Sequence, residues 1–302
     1  MKCYTILIGS FFFIILILSN IDKSNVYLRT ARYLKVPFKQ QRFTPNLFEA
    51  WHDCATKNFL DSEENSQNFW NSFKKKSKNC VDISAIKNVT KVISLRNKDE
   101  TKYAILPIQK SGENVFVTLG IGLDTTAEVA FAEKMKQIKE NVSFYGADPI
   151  IKGNAELYSK IGKFFPFAVG AKAGFSSASV LKNGRYVNTD VVYIDLFYFI
   201  KEVLRKNIID YLWMDNEYAE YGLLDIFFEN EKLDQLRITF CQTSLEVHLP
   251  NEAQRGQFMT FIKRLVEEKR FGFFFSENVG HIRMWLFNFG SEYCTQKFFK
   301  SV

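Results

Sequence analysis

The chain has 302 residues, 47% of them hydrophobic, which suffices to bury a sizeable core in one α/β domain with further segments attached. A formal charge of +7 is too modest to define a nucleic-acid surface: its densest cluster, Lys74, Lys75, Lys76 and Lys78, has no interleaved aromatics and reads as a solvated helix face. No CxxC pair or Cys/His cluster suggests zinc, and there is no internal repeat or low-complexity tract.

The first element, residues 1–21, is an apolar run after Lys2 without small residues placed for cleavage, so it reads as a retained signal anchor, a single contact with the membrane. Lys23, Arg29, Arg32 and Lys35 follow it, which by the positive-inside rule argues against a lumenal domain. Two features argue the other way. Asn88-Val-Thr90 and Asn141-Val-Ser143 are glycosylation sequons, and Cys54, Cys80, Cys241 and Cys294 form an even set suited to two bridges in an oxidising compartment. Four buried free thiols are the alternative; if bridged, the expected pairs are Cys54 with Cys80 and Cys241 with Cys294. The expected location is the secretory pathway, with the folded domain lumenal.

Residues 22–43 are basic, polar and aperiodic, as in a stem. Over residues 44–98, Leu47, Trp51, Phe59, Leu60, Phe69, Trp70 and Phe73 recur at loosely helical spacing and predict a helical cap. The main domain is placed at 99–302.

Within it, Val115-Phe-Val-Thr-Leu-Gly-Ile-Gly-Leu-Asp124 reads as a buried strand that stops at Gly120 and Gly122, where missing side chains let a ligand approach the backbone. About one βαβ unit later, Phe144-Tyr-Gly-Ala-Asp-Pro149 ends a second strand in Asp148, placed to accept hydrogen bonds from ribose hydroxyls. Together they predict a nucleoside site. A dinucleotide fold wants a third small residue three positions after Gly122, where Thr125 stands, so S-adenosylmethionine is favoured over NAD. Next come a helix at 153–161, a strand at 165–169, a hairpin around 179–187 and a helix at 196–206. A core strand at 209–215 then ends in Asp215 and runs into a further helix opened by Glu217 and Glu220. A strand region at 237–249, a helix at 251–269 with the apolar stripe Phe258, Phe261, Ile262 and Leu265, and an antiparallel pair at 271–275 and 281–289 complete the pattern. The abundant Phe, 31 residues, falls in strand-like runs and reads as sheet core.

The ordered set Leu119-Gly-Ile-Gly-Leu-Asp124, Phe144-Tyr-Gly-Ala-Asp-Pro149, Phe165-Pro-Phe-Ala-Val169, Leu212-Trp-Met-Asp215 with Glu217 and Glu220, and Leu245-Glu-Val-His248 resembles the FkbM-type methyltransferases, most of all their nematode-type branch, over roughly residues 100–300. The resemblance implies a class I Rossmann-like α/β fold, a seven-stranded, mostly parallel sheet with an antiparallel closing strand. It also implies S-adenosylmethionine as cofactor and O-methylation of a glycan or other small hydroxyl acceptor. Two departures bear on activity. Thr118 stands where many such enzymes carry an acid for the donor's amino group, leaving Asp124 or Glu128 to substitute. Tyr218 stands where the family has glycine and would fill space used by close backbone approach.

Methyl transfer to oxygen needs alignment and a proton acceptor. Glu246 and His248 are two apart on a strand and share a face. His248 is the expected general base, its ordinary pKa lying nearest working pH, with Glu246 its orienting partner or a structural ion pair and Asp215 positioning acceptor or donor. Gly120, Gly122, Asp124 and Asp148 are the expected donor-binding residues. No metal is expected: it would require Asp215 and Glu217 to converge, which no spacing compels. A catalytically silent binding domain that keeps the fold is the alternative from a different class, and a dehydrogenase ranks below both.

Overall fold

The computed structural model describes residues 46–84, 86, 91–109, 112–182 and 184–299. The expected anchor and stem, and the Asn88 sequon, lie outside these residues, whereas Asn141 is described and exposed. Among the described residues no helix is long and apolar enough to cross a membrane.

The chain opens with α1 (Asn46–Ala55), which runs on through a π-helical turn (Thr56–Leu60), and α2 (Ser66–Ser84). A small hairpin, β1 (Val92–Arg96) and β2 (Thr101–Ile105), follows. It straddles the expected boundary between residues 98 and 99, so cap and main domain do not divide there. Its charged, weakly alternating sequence gave no strand signal.

The core elements are β3 (Asn114–Leu119), α3 (Thr126–Gln137), β4 (Val142–Ala147), α4 (Asn154–Tyr158) and β5 (Lys163–Phe165). Then come β6 (Ala168–Gly170), β7 (Gly174–Lys182), β8 (Arg185–Asp195), α5 (Leu196–Tyr198) with a π turn (Phe199–Val203), and β9 (Ile208–Met214). The remainder is α6 (Lys232–Leu236), β10 (Thr239–Val247), α7 (Glu252–Glu268), β11 (Phe271–Asn278), β12 (Ile282–Asn288) and α8 (Glu292–Phe298). Seven strands form one sheet in the order β5-β4-β3-β9-β10-β12-β11. Its first five strands are mutually parallel, and β12 runs against both its neighbours. The expected mostly parallel sheet with an antiparallel closing strand is therefore present. β3 is buried along its whole length, and β9 and β10 past their first residues, which explains why their sequences are near-continuous apolar runs.

Three expectations change in detail. The strand expected at 165–169 is two strands in different sheets, because the chain leaves the large sheet at Pro166, which has no N–H to donate. The carbonyl of Phe165 there takes the N–H of Asp148 instead. The hairpin expected around 179–187 is β7 paired with β8; with β6 it makes a separate three-stranded sheet. After Asp215 the chain forms short 3-10 turns (Ala219–Gly222, Leu224–Phe227) rather than a long helix.

The helical cap packs on the β11 edge, far from β5. Trp51 donates its indole N–H to the Phe273 carbonyl at 3.1 Å, and Phe73 sets its ring edge-on to Phe258 of α7 at 5.1 Å. It shields the sheet. Lys74, Lys75 and Lys78 are exposed on α2, as expected of a solvated face. The apolar stripe of α7 is buried. At the amino ends of the central strands, Lys297 pairs with Asp210 at 2.6 Å, both almost fully buried, and Asp210 also accepts the Val115 N–H. This ion pair lies at the opposite end of the strands from the residues considered below.

Both expected disulfides are present, Cys54–Cys80 within the cap and Cys241–Cys294 joining β10 to α8. With sequence separations of 26 and 53, chain-entropy arguments give each bridge about 3–4 kcal/mol. Replacing Cys241 and Cys294 together by Ser is expected to lower the urea-unfolding free energy by roughly that amount; an unchanged midpoint would count against the bridge.

Candidate functional site at the carboxyl edge of the sheet

The carboxyl ends of β3, β4 and β9 meet under the three-stranded sheet and line a partly open cavity. Gly120, Gly122 and Asp148 line one side, Asp215 and Glu217 another, and Ala178 and Tyr193 of the small sheet the third. Asn216 closes the seam between the sheets by donating its side-chain amide to the Val169 carbonyl at 2.8 Å.

Gly120 is required sterically as well as conformationally. Its φ is +82°, and a Cβ would lie 2.0 Å from the Asp215 carbonyl oxygen. Gly122 also has positive φ, but a Cβ there would meet open space. The Asp148 carboxylate knits the turn together: Oδ2 accepts the N–H groups of Ile121 (2.8 Å) and Gly122 (3.3 Å), and Oδ1 accepts that of Ile150 (2.7 Å). These three N–H groups and the Asn154 side chain all favour the ionised carboxylate, against burial, which pushes its pKa up. Asn154 of α4 takes the next N–H, from Leu123, at 2.9 Å. Sequence reasoning missed Asn154, although its place just after the second strand-end was a usable signal.

Asp124, expected beside these residues, does not line the cavity. Its carboxylate turns to the start of α3, accepting from the Thr126 N–H (2.9 Å) and hydroxyl (2.6 Å) and from the Lys98 N–H (3.0 Å). Glu128 is the acid that reaches the Thr118 position: Tyr158 donates its hydroxyl to Thr118 Oγ1 at 3.0 Å, and Thr118 donates to Glu128 Oε1 at 3.2 Å. Glu128 is 2% exposed and its Oε2 has no hydrogen-bond partner. Burial raises its carboxyl to about 7, against the opposing charge of Lys102, a buried lysine paired with Glu100.

Across the cavity, His248 lies just past β10, 4% exposed. Its Nδ1 is 3.0 Å from Oε1 of the fully buried Glu220, which also accepts the His248 N–H at 2.8 Å. Nε2 faces Glu217 Oε2 at 3.3 Å and Asp215 Oδ1 at 3.5 Å. Burial alone would lower the imidazole pKa; hydrogen bonds to Glu217 and Glu220, with the charges of Glu220 and Asp215, override it and raise it to about 11. This surrounding of acids favours the protonated ring, so the geometry lends the expected general-base role of His248 no support. Its orienting partner is Glu220 rather than Glu246, whose Oε2 is bound by Arg283 at 2.9 Å from the facing strand. Burial, then the neighbouring Glu246, raise Asp215 well above the usual carboxylate range, against His248 and Lys102.

Tyr218 takes the backbone conformation its glycine alternative would favour, φ +76°, next to Glu217 at +47°. Its ring does not fill the cavity: it is 42% exposed and lies 5.1 Å from the His248 ring. Two sets of donor atoms lie within 4.8 Å of one another among the described residues, Asp215–Glu217–His248 and Glu246–His248–His281. The first contains the convergence that sequence spacing did not compel.

This sheet, with a glycine turn, a strand-end acid and a second acidic strand end around one cavity, defines a Rossmann-like methyltransferase domain. A family model described as the methyltransferase FkbM domain matches residues 53–293, and the chain belongs to that family, whose members generally use S-adenosylmethionine. The match starts well before residue 100 and takes in most of the cap. Comparison with curated proteins and with solved structures finds no match.

Two outcomes are expected. Gly120→Ala should cost roughly 3 kcal/mol in urea unfolding, from strain plus overpacking, and Gly122→Ala only roughly 1 kcal/mol; equal losses would refute the close approach to Asp215. For Glu128, whose folded-state pKa lies above the unfolded 4.5, the folded chain holds a proton that the unfolded chain releases between pH 4.5 and about 7. Its contribution to stability therefore falls as pH rises through that window and levels off above it, a change of about 3 kcal/mol. Glu128→Gln should flatten that part of the curve of unfolding free energy against pH, and parallel curves would refute the assignment.

Proposed function

We propose that the chain is an S-adenosylmethionine-dependent O-methyltransferase of the secretory pathway, with a glycan or other small hydroxyl compound as acceptor. The observation that carries the reading is the cavity itself, which brings Gly120, Gly122 and Asp148 together with Asp215 and Glu217 at the carboxyl edge of the sheet. The residues fit the donor. Asp148 lines the cavity at the end of β4, where a carboxylate is placed to accept from ribose hydroxyls, and the space above Gly122 lets a ligand lie against the backbone. Bound S-adenosylmethionine supplies an activated methyl group at its sulfonium.

The remaining work belongs to the chain: holding the acceptor oxygen in line and taking its proton. Asp215 is assigned this second task in place of His248, because it lines the cavity and its Oδ1 is shielded without a hydrogen-bond partner. His248 holds Asp215 and Glu217 together from behind. The two disulfides support a compartment that allows thiol oxidation. The exposed Asn141 sequon is compatible with it.

Calorimetric titration of the full chain with S-adenosylmethionine is expected to show saturable binding that weakens at least about 100-fold in Asp148→Ala, the loss of one charged, doubly bonded contact. No binding by a folded wild-type chain would overturn the enzyme reading and leave the silent binding domain.

A further inference from the structure

The point that Asp215, Glu217 and His248 face together has the form of a cation site. The three donor atoms lie within 4.8 Å of one another, and the two distances from His248 Nε2 are 3.3 and 3.5 Å. Charge-assisted N–H···O hydrogen bonds are shorter, about 2.7–2.9 Å. By contrast, an ion with bonds of about 2.1 Å holds tetrahedral neighbours about 3.4 Å apart. Two further observations lie outside the triad's own spacing. Asp215 Oδ1 is sealed from solvent and has no hydrogen-bond partner. On the other side of the ring, the fully buried Glu220 engages Nδ1 at 3.0 Å, the carboxylate–histidine arrangement that fixes a ligating imidazole, and a cation at Nε2 would take the place of the proton that the acids otherwise hold there.

We infer that Asp215 Oδ1, Glu217 Oε2 and His248 Nε2 bind one divalent cation, with Glu220 orienting the histidine. One imidazole and two carboxylates suit a borderline ion such as Zn²⁺ better than Ca²⁺ or Mg²⁺, which prefer oxygen alone. The alternative set through Glu246 and His281 is weaker, because Arg283 already neutralises Glu246. Three protein ligands leave a coordination position open, and Asp215 and Glu217 both line the cavity. On the methyltransferase reading, on which this role rests, that position takes the acceptor hydroxyl and lowers its pKa, so that the outer Asp215 oxygen receives a proton already loosened.

The test is a titration of the chelator-treated full chain with Co²⁺, followed by its visible d–d absorption, and then displacement by Zn²⁺. One Co²⁺ per chain is expected, with the strong band of a four- or five-coordinate ion. Glu217→Gln and Asp215→Asn, which keep side-chain size, should each weaken binding at least tenfold, and Glu220→Gln should do so by about 10–100-fold. Glu156→Gln, a change on exposed α4, should leave it unchanged. Absence of saturable binding, or binding indifferent to Asp215→Asn and Glu217→Gln, overturns the inference. The donor titration on the same preparation separates the two readings: a chain that binds S-adenosylmethionine and no Co²⁺ refutes the cation site alone, whereas one that binds Co²⁺ and no donor refutes the methyltransferase assignment.

Discussion

At the end of β3 the backbone of Gly120 passes so near the carbonyl of Asp215 that no side chain fits between them. A hydrogen bond from the Asp215 N–H to the Leu119 carbonyl, 2.9 Å, holds the two strand ends in that register. The rest of the site depends on this contact. It sets the glycine turn and the Asp215 carboxylate on adjoining sides of the cavity, and it fixes where the following Asn216 and Glu217 must lie. A parallel pair of strands delivers both carboxyl ends to the same edge, which is why donor-side and acceptor-side residues come from segments almost a hundred positions apart.

Electrostatics divide the edge into two regions of opposite logic. Around His248 three acidic side chains, Asp215, Glu217 and Glu220, surround one imidazole, so a proton on the ring, or a cation in its place, is favoured. Around Lys102 the balance is closer, with Glu100 paired to it and Glu128 near neutrality by burial. Backbone strain at Glu217 and Tyr218 belongs to the first region. Two successive left-handed residues that are not glycine are costly, and the chain holds them where they carry Glu217 toward the histidine.

The sheet was legible because its strands carry the pattern their burial demands. The apolar runs of β3, β9 and β10, the Asn251 start of α7 and its stripe could be read directly, and the cysteine pairs followed from placing one pair in the cap and the other in the core. Gly120, Gly122 and Asp148 were legible for the same reason: a backbone constraint writes itself as residue type. What depended on side-chain direction was not. Asp124 stands nearer the turn in sequence than Glu128, and only the helix geometry of α3 decides that Glu128 is the one that points at Thr118. The pKa of His248 was misjudged because its ordinary value was carried into a place where three acids converge. Glu220 had been accounted for as the start of a helix that does not form.

The order of the strands also bears on how the chain is made. Among the described residues β12 is the last strand, yet it lies inside the sheet, between β10 and β11, rather than at an edge. Until it inserts, β10 and β11 both present open hydrogen-bonding edges with buried aromatic faces, the kind of surface that recruits other chains. The central pairing of β3 with β9 also closes a long loop, which is slow. Biosynthesis of this protein is therefore a race between completion of the sheet and association of the incomplete one, and chaperone protection counts most in the interval before residues 282–288 emerge.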